Sequence, residues 1–353
     1  MKSEATFTLG TLDGRLNRAQ TQHVIAQLQA THPRAIFDMV TVTDPVSNRR
    51  SASELFNVSS PSEVDVLVMR LRDGEYQILD VGAEDLAHTL PDDVEIAAVL
   101  PRATPFDALL HKKGIIADDL PEHTRVGVLS LRSQAQIAAL WPHLTPKLIY
   151  GGTVKALDAY LQNDEVDALV IPAASAERLG VQDLVSEIFF PEMMLPGAGQ
   201  GTIALLCRRG DVEVLEACQA VHNELSCQEM LGELAFRERI CSDQDCPVGV
   251  LAQATEEELV LTGAVGSPSG LSQDQAVIRG SGAEAVVLGQ RLAERLLLST
   301  TSLVDLLEAD FPDGLPDADD GDDDDGAADL DDDPDDELPE DDPMDDYAEP
   351  LDY

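Results

Sequence analysis

The chain has 353 residues and carries 23 Lys and Arg against 67 Asp and Glu, a formal charge of −44. That length holds two or three domains of ordinary size. The anionic excess argues against bulk attraction to nucleic acid phosphate or to an anionic membrane surface, although a local basic cleft stays open because net charge does not describe a site.

The opening MKSEATFTLG lacks the apolar core of a signal peptide. No run approaches the roughly 20 apolar residues of a spanning helix, so a cytoplasmic protein is expected. Thr6–Gly10 and Ile36–Val42 read as strands, and the segment between them has helical spacing with Ala19, Val24, Ile25 and Leu28 on one face. Further strands are expected at Ile96–Leu100, Val126–Leu129, Leu148–Tyr150, Ala168–Pro172 and Ile203–Cys207. Helices are expected at Ser133–Leu140, Thr153–Gln162, Ala174–Leu179 and Val212–Leu225. Residues 247–279 change texture to short strands and turns, followed by a helix over Ala283–Leu298. Alternating strands and helices argue for an α/β fold with mainly parallel sheets, ending in a small α+β domain.

Residues 309–353 hold 23 acids and no Lys or Arg, leaving residues 1–308 at −21. Mutual repulsion, Pro and Gly, and the lack of apolar residues predict a disordered acidic tail. It reads as a solubility tail, or as an interaction tail for a basic protein partner, or as a polyanion mimic folding back on the chain's own cleft. Five cysteines fall between Cys207 and Cys246. An odd number without a secretory signal does not suggest a disulfide framework, and the lack of a C-x-x-C pair speaks against zinc. Buried or incidental thiols, and no metal, are expected. His23, His32, His88 and His222 read as surface or capping residues, and Trp141 as core.

At 195–208 the chain reads LPGAGQGTIALLCR, a Gly-rich connection running into a buried strand. This string resembles the LPAxGQGxxxxxCR signature of porphobilinogen deaminases, also called hydroxymethylbilane synthases. Six more segments are similar to that family in the same order. They are LGTLDGRLNRAQ (9–20), DGEYQILDVGAEDLAHTLP (73–91), AAVLPRATPFDALL (97–110), RVGVLSLRSQAQ (125–136), VDALVIPAASAERLG (166–180) and AFRERICSDQDCPVGVLA (235–252). The resemblance implies three domains, the first two being lobes like those of periplasmic binding proteins. Carried over, domain one is residues 1–97 with 196–217, domain two 98–195, and the small α+β domain three 218–300, with the acidic tail outside.

The resemblance also implies the chemistry. In the family a cysteine thiolate holds a dipyrromethane cofactor, and four porphobilinogens condense onto it head to tail before hydrolysis releases hydroxymethylbilane. Each ring loses ammonia to become an electrophile, so a carboxylate must stabilise positive charge on pyrrole nitrogen. Each ring also carries an acetate and a propionate, which call for Arg and Lys in forked contacts. The family's catalytic Asp falls on Asp85, for which a turn or N-cap aspartate is the bland alternative. The attachment position falls on Gln244. Cys246, two residues later, is the candidate attachment thiol, since two residues restore the same face of an extended segment; Cys241, or no cysteine, remains open. Ser130, Arg132, Arg178, Gly199 and Gln200 match binding positions.

Several cations are missing from the resemblance. Leu12, Glu84, Ser133, Tyr150 and Ala156 stand where it calls for Arg or Lys, Gly14 replaces a Ser, and Arg49 and Arg50 are the available substitutes for a Lys-rich loop. Each lost charged hydrogen bond is worth roughly 1.5–3 kcal/mol. The expected function is a porphobilinogen deaminase-like transferase of tetrapyrrole synthesis. It would act as a monomer on porphobilinogen or a related anionic pyrrole, with no nucleic acid or membrane partner. The alternatives are a catalytically inactive relative serving as a ligand-binding or interaction module and, last, a solute-binding protein.

Overall fold

The computed structural model of the chain describes residues 5–43, 63–86, 90–162, 165–241, 246–267 and 269–299. The acidic tail, Arg49, Arg50, His88 and Gln244 lie outside the described residues. Two five-stranded sheets and one three-stranded sheet organise the rest.

In the first sheet β1 (Thr6–Leu12) runs parallel to β2 (Ile36–Val42) and β3 (Ile78–Gly82). β10 (Ile203–Arg208) is inserted antiparallel between β3 and β4 (Val94–Val99), giving the order β2-β1-β3-β10-β4. The strand IALLCR reads as one apolar run because it is covered on both faces. Successive side chains point opposite ways. Ile203, Leu205 and Cys207 therefore join the core under α1 (Arg15–Thr31), and Ala204 and Leu206 join the one under α2 (Glu63–Asp73).

The second sheet repeats this plan. β6 (Arg125–Val128) runs parallel to β7 (Thr145–Leu148) and β8 (Ala168–Pro172), with β5 (Asp107–Leu110) antiparallel to both β8 and β9 (Val185–Phe189). The order is β7-β6-β8-β5-β9. α3 (Leu131–Leu140), α4 (Gly152–Gln162) and α5 (Ala173–Arg178) follow β6, β7 and β8. Trp141 packs on Phe189 with ring centroids 5.0 Å apart and donates to Asp118 Oδ1 at 2.6 Å, so it is a core residue with a satisfied N–H.

α6 (Val212–Gln219) leads into the last portion, where β11 (Val248–Ala254), β12 (Leu259–Gly266) and β13 (Gln273–Gly280) form an antiparallel meander. α7 (Glu224–Ile240) and α8 (Ala285–Ser299) pack on it through Phe236, Ile240, Leu288, Leu292 and Leu296. The two helices approach closely at glycines: a Cβ on Gly289 would lie 2.1 Å from the carbonyl oxygen of Gly232.

Four expectations need correction. The sheets are mixed rather than mainly parallel, since β10 and β5 each run antiparallel to both neighbours and the third sheet is wholly antiparallel. The single helix over Val212–Leu225 is two, because Asn223 caps a new helix by accepting from the Ser226 N–H at 2.8 Å. β7 occupies Thr145–Leu148 rather than Leu148–Tyr150; as an edge strand it tolerates Pro146. The cysteines are not all thiols, since Cys241 and Cys246 form a disulfide. Among the described residues no helix is long and apolar enough to cross a membrane.

Candidate active site

The connections after β1, β2, β3, β6, β7 and β8, the Gly197–Gln200 loop and the start of β11 line one cleft of about 1100 Å³. The first sheet contributes Leu12, Asp13, Gly14, Glu84 and Asp85; the second contributes Ser130, Arg132, Ser133, Pro172 and Ser175. Val248 and Val250 of β11 line it as well, together with Arg237, Cys241 and Cys246. Such a cleft, with apolar walls and a few convergent polar groups, is where a ligand site is expected.

Asp85 ends a 3-10 turn, Ala83–Asp85, directly after β3. Its neighbour Glu84 faces the same cleft, and oxygens of both carboxylates lie within 4 Å of the space above Gly82. Burial by the surrounding protein, then the Asp85 charge, pushes the Glu84 carboxyl up to about 7, against the pull of Arg178. Glu84 is nevertheless open to the water of the cleft, which relieves part of that burial. Arg178 does not line the cleft. It ends α5, donates to Gln20 Oε1 at 3.3 Å, and exerts its charge on Glu84 and Asp80. Asp80 is buried on β3, where it accepts from Thr21 Oγ1 at 2.9 Å and Gln20 Nε2 at 3.2 Å, and burial raises it to about 6.

Ser130 is the N-cap of α3, its Oγ accepting from the Ser133 N–H at 3.2 Å. Two residues on, Arg132 is 7% exposed. Its guanidinium donates to Asp107 at 2.6 and 3.3 Å and to the carbonyl of Leu195 at 3.0 Å. Gln200, 2% exposed, donates to the Pro105 carbonyl at 2.7 Å and to Asp107 Oδ1 at 3.0 Å, and accepts from the Gly197 N–H at 3.2 Å. Arg132 and Gln200 thus frame the cleft floor and are held by protein partners.

Gly199 has φ +78°, and a Cβ there would stand 2.7 Å from the backbone of Ala83. Only glycine lets the loop press against the turn that carries Asp85. The loop is held in turn by a buried hub that sequence reasoning missed. Glu233 of α7, 0% exposed, accepts from the N–H groups of Gly199 and Ala252, both at 2.7 Å, and pairs with Arg102 at 2.7 and 3.0 Å. A buried carboxylate needs such a full set of donors. Arg102 and Asp107 both fall inside AAVLPRATPFDALL, so that motif held the signal. Arg237 falls inside AFRERICSDQDCPVGVLA but was not singled out, and Glu233 lies just before that segment, where the helix reading had stopped at Leu225.

Cys246 and Cys241 both reach the cleft, joined to each other. Cys207 and Cys218 are buried away from it, with burial pushing their thiols up, and Cys227 packs beside the core under α2. Among the described residues no group of three or more His, Cys, Asp or Glu is placed to hold a metal ion.

Comparison with known proteins joins these observations. A family model described as "Porphobilinogen deaminase, dipyromethane cofactor binding domain" matches residues 7–216, and "Porphobilinogen deaminase, C-terminal domain" matches residues 230–298. A porphobilinogen deaminase of Roseiflexus castenholzii is 33% identical over 297 residues, covering 83% of this chain and 96% of its own. That of Thermus thermophilus is 33% identical over 294 residues, covering 82% and 94%. Among solved structures, the methionine binding protein MetQ aligns at 14% identity with a TM-score of 0.39, over 61% of this chain and 89% of its own. In its disulfide form the cleft offers no thiol among the described residues, so it does not fit a thioether-bound dipyrromethane; a carboxylate pair facing apolar walls suits pyrrole N–H groups. The chain belongs to the porphobilinogen deaminase family, transferases of tetrapyrrole biosynthesis with a dipyrromethane cofactor binding domain.

Proposed function

We propose that the protein condenses porphobilinogen into hydroxymethylbilane, with Asp85 as the catalytic carboxylate and Cys246, once reduced, as the thiol that holds dipyrromethane. The observation that carries this reading is the placement of Asp85 and Cys246 on one cleft, contributed by positions 161 residues apart in the chain. When bound, dipyrromethane supplies the covalent anchor for chain growth. Asp85, ionised, accepts from pyrrole N–H groups and stabilises positive charge that develops there. Glu84, its carboxyl raised by burial and by the Asp85 charge, is placed to exchange a proton beside it. Leu12, Val42, Leu129, Val170, Val248 and Val250 give the rings apolar walls and exclude water from them. Ser130 and Gln200 shape the floor, and Arg132, held by Asp107, lies beside them.

Disulfides are rare in the cytosol, where thiols are kept reduced. In the cytoplasmic setting that we propose, a cellular thiol reductant attacks the Cys241–Cys246 bond through a mixed disulfide, is itself oxidised to a disulfide, and leaves both cysteines as thiols. The three domains expected from the sequence agree with this reading, since each of the three sheets borders the cleft. The purified full chain, treated with a thiol reductant, should consume porphobilinogen and release a linear tetrapyrrole. No consumption by the reduced protein would overturn the reading.

A second reading is favoured by one observation. The cations lining the cleft among the described residues are Arg132 and Arg237, and both donate to protein acceptors. Asp13, Glu63, Glu84, Asp85 and Asp107 outnumber them. A relative that no longer condenses porphobilinogen and takes a less anionic ligand fits that balance, and the same assay, paired with a binding measurement, separates the two.

A further inference from the structure

We propose that Arg237 is a positioning residue that fixes the turn bearing Asp85, acting with Glu233 one helical turn earlier on α7. The proposal rests on the reading of Asp85 as the catalytic carboxylate. Residues four apart on a helix share a face. From that face Arg237 donates through Nη1 to the carbonyl of Glu84 at 2.6 Å and through Nη2 to the carbonyl of Leu86 at 2.8 Å. The two bonds bracket Asp85 on either side along the backbone. Glu233 holds the Gly199 N–H at 2.7 Å, and Gly199 presses on the backbone of Ala83 and Glu84. The turn is therefore held from two directions by one helix face: directly by Arg237, and through the glycine loop by Glu233. Ala83 adds a third tie, donating to the Thr202 carbonyl at 2.9 Å.

The clamp also answers a problem of charge. Glu84 and Asp85 are adjacent carboxylates on a three-residue turn and repel each other. The Arg237 guanidinium is the cation that α7 brings to this place, and both carboxylates favour its charged form against the burial that opposes it. Its planar fork suits two acceptors two residues apart, which a single ammonium does not match. The same helix ends at Ile240, and the Cys241 N–H closes on the Arg237 carbonyl at 2.9 Å. One helix thus carries the clamp on the carboxylate turn and leads straight into the cysteine pair, fixing the two partners of the chemistry relative to each other.

The test compares Arg237→Met and Arg237→Lys with the wild-type full chain, reduced, by hydrogen exchange and by steady-state kinetics with porphobilinogen. In Arg237→Met the Ala83 and Leu86 amides should exchange faster while β11–β13 keep their protection. kcat should fall roughly 10- to 100-fold with KM within about twofold, as expected when a reacting group is displaced by about 1 Å. Arg237→Lys should recover part of both. Unchanged exchange in the turn would overturn the clamp. So would a lowered Tm with kcat preserved in the folded fraction, which marks a purely structural residue. If wild-type protein consumes no porphobilinogen, the functional reading fails by itself, and exchange at Ala83 and Leu86 still decides the clamp.

Discussion

The two five-stranded sheets share one strand plan and use it differently. In each, a first parallel strand runs into a helix at the cleft, β1 into α1 and β6 into α3. α3 begins with a capped residue, Ser130, and places Arg132 two residues on. α1 begins at Gly14, which offers no side-chain cap. The third strand in each order, β3 or β8, also ends at the cleft. After β3 come Glu84 and Asp85; after β8 come Pro172 and Ser175. Acidic chemistry thus sits at one sheet and the buried cation at the other. Equivalent backbones do not carry equivalent chemistry, because a connection tolerates side-chain change that a strand core does not.

The difference can be broken most strongly at the cation. Arg132→Met leaves Asp107 charged and buried, and should cost about 3–5 kcal/mol in urea unfolding. The double variant Arg132→Met/Asp107→Leu should recover most of that loss. If the single variant is neutral, the pair does not hold the second sheet to the glycine loop. On the acidic side, Asp85→Ala should lower turnover of porphobilinogen on the order of 10²- to 10³-fold, while Ser175→Ala, at the equivalent connection, should change it less than twofold. Equal effects would erase the contrast.

Smaller changes sharpen the same comparison at the helix starts. Ser130→Ala should destabilise by about 1 kcal/mol through loss of the cap. Gly14→Ser, at φ −120° and ψ 147° with room for a Cβ, should add only about 0.3 kcal/mol in thermal melts, because glycine is itself a tolerable N-cap. The smallest effect is one of pH. Glu84 titrates near 7 in the folded chain against an ordinary value of 4.5, so the stability linked to its proton is full below about 4.5 and is lost as pH rises through 7. Asp80, raised to about 6, acts with the same sign. Tm should therefore fall between pH 5 and 8, and Glu84→Gln should flatten that fall. An identical slope in the variant would show that Glu84 does not hold its proton.

Much of the α/β pattern was legible. Ala168–Pro172 lies where its apolar run predicted, because a buried strand leaves little choice of residue; Ile36–Val42 is an edge strand with only Phe37 and Val42 buried, and its β-branched residues gave it away. α2 and β5 were not foreseen: EVDVLVMRLRD was passed over although Ser62 and the first-turn acids Glu63 and Asp65 are a helix-start signal, and DALL is too short for periodicity to speak. Asp85, Ser130, Arg132, Gln200 and Cys246 line one cleft although they are remote in the chain, whereas Gly199 packs against the backbone of the Asp85 turn without lining the cleft. Arg178 was expected with them but stands behind the cleft wall, acting on it through charge alone. The disulfide was missed for a physical reason. Pairing depends on the approach of the end of α7 to the start of β11, and cysteine counting does not contain that geometry.

The central claim, that a cysteine freed from this disulfide carries the cofactor opposite Asp85, is tested most directly by intact mass. The full chain and its Cys246→Ser variant would each be reduced, incubated with porphobilinogen and weighed without harsh acid. A mass increase equal to a dipyrromethane on the wild type, absent from Cys246→Ser and from unreduced protein, is the predicted result. No increase on the reduced wild type, or the same increase on the variant, would contradict the account.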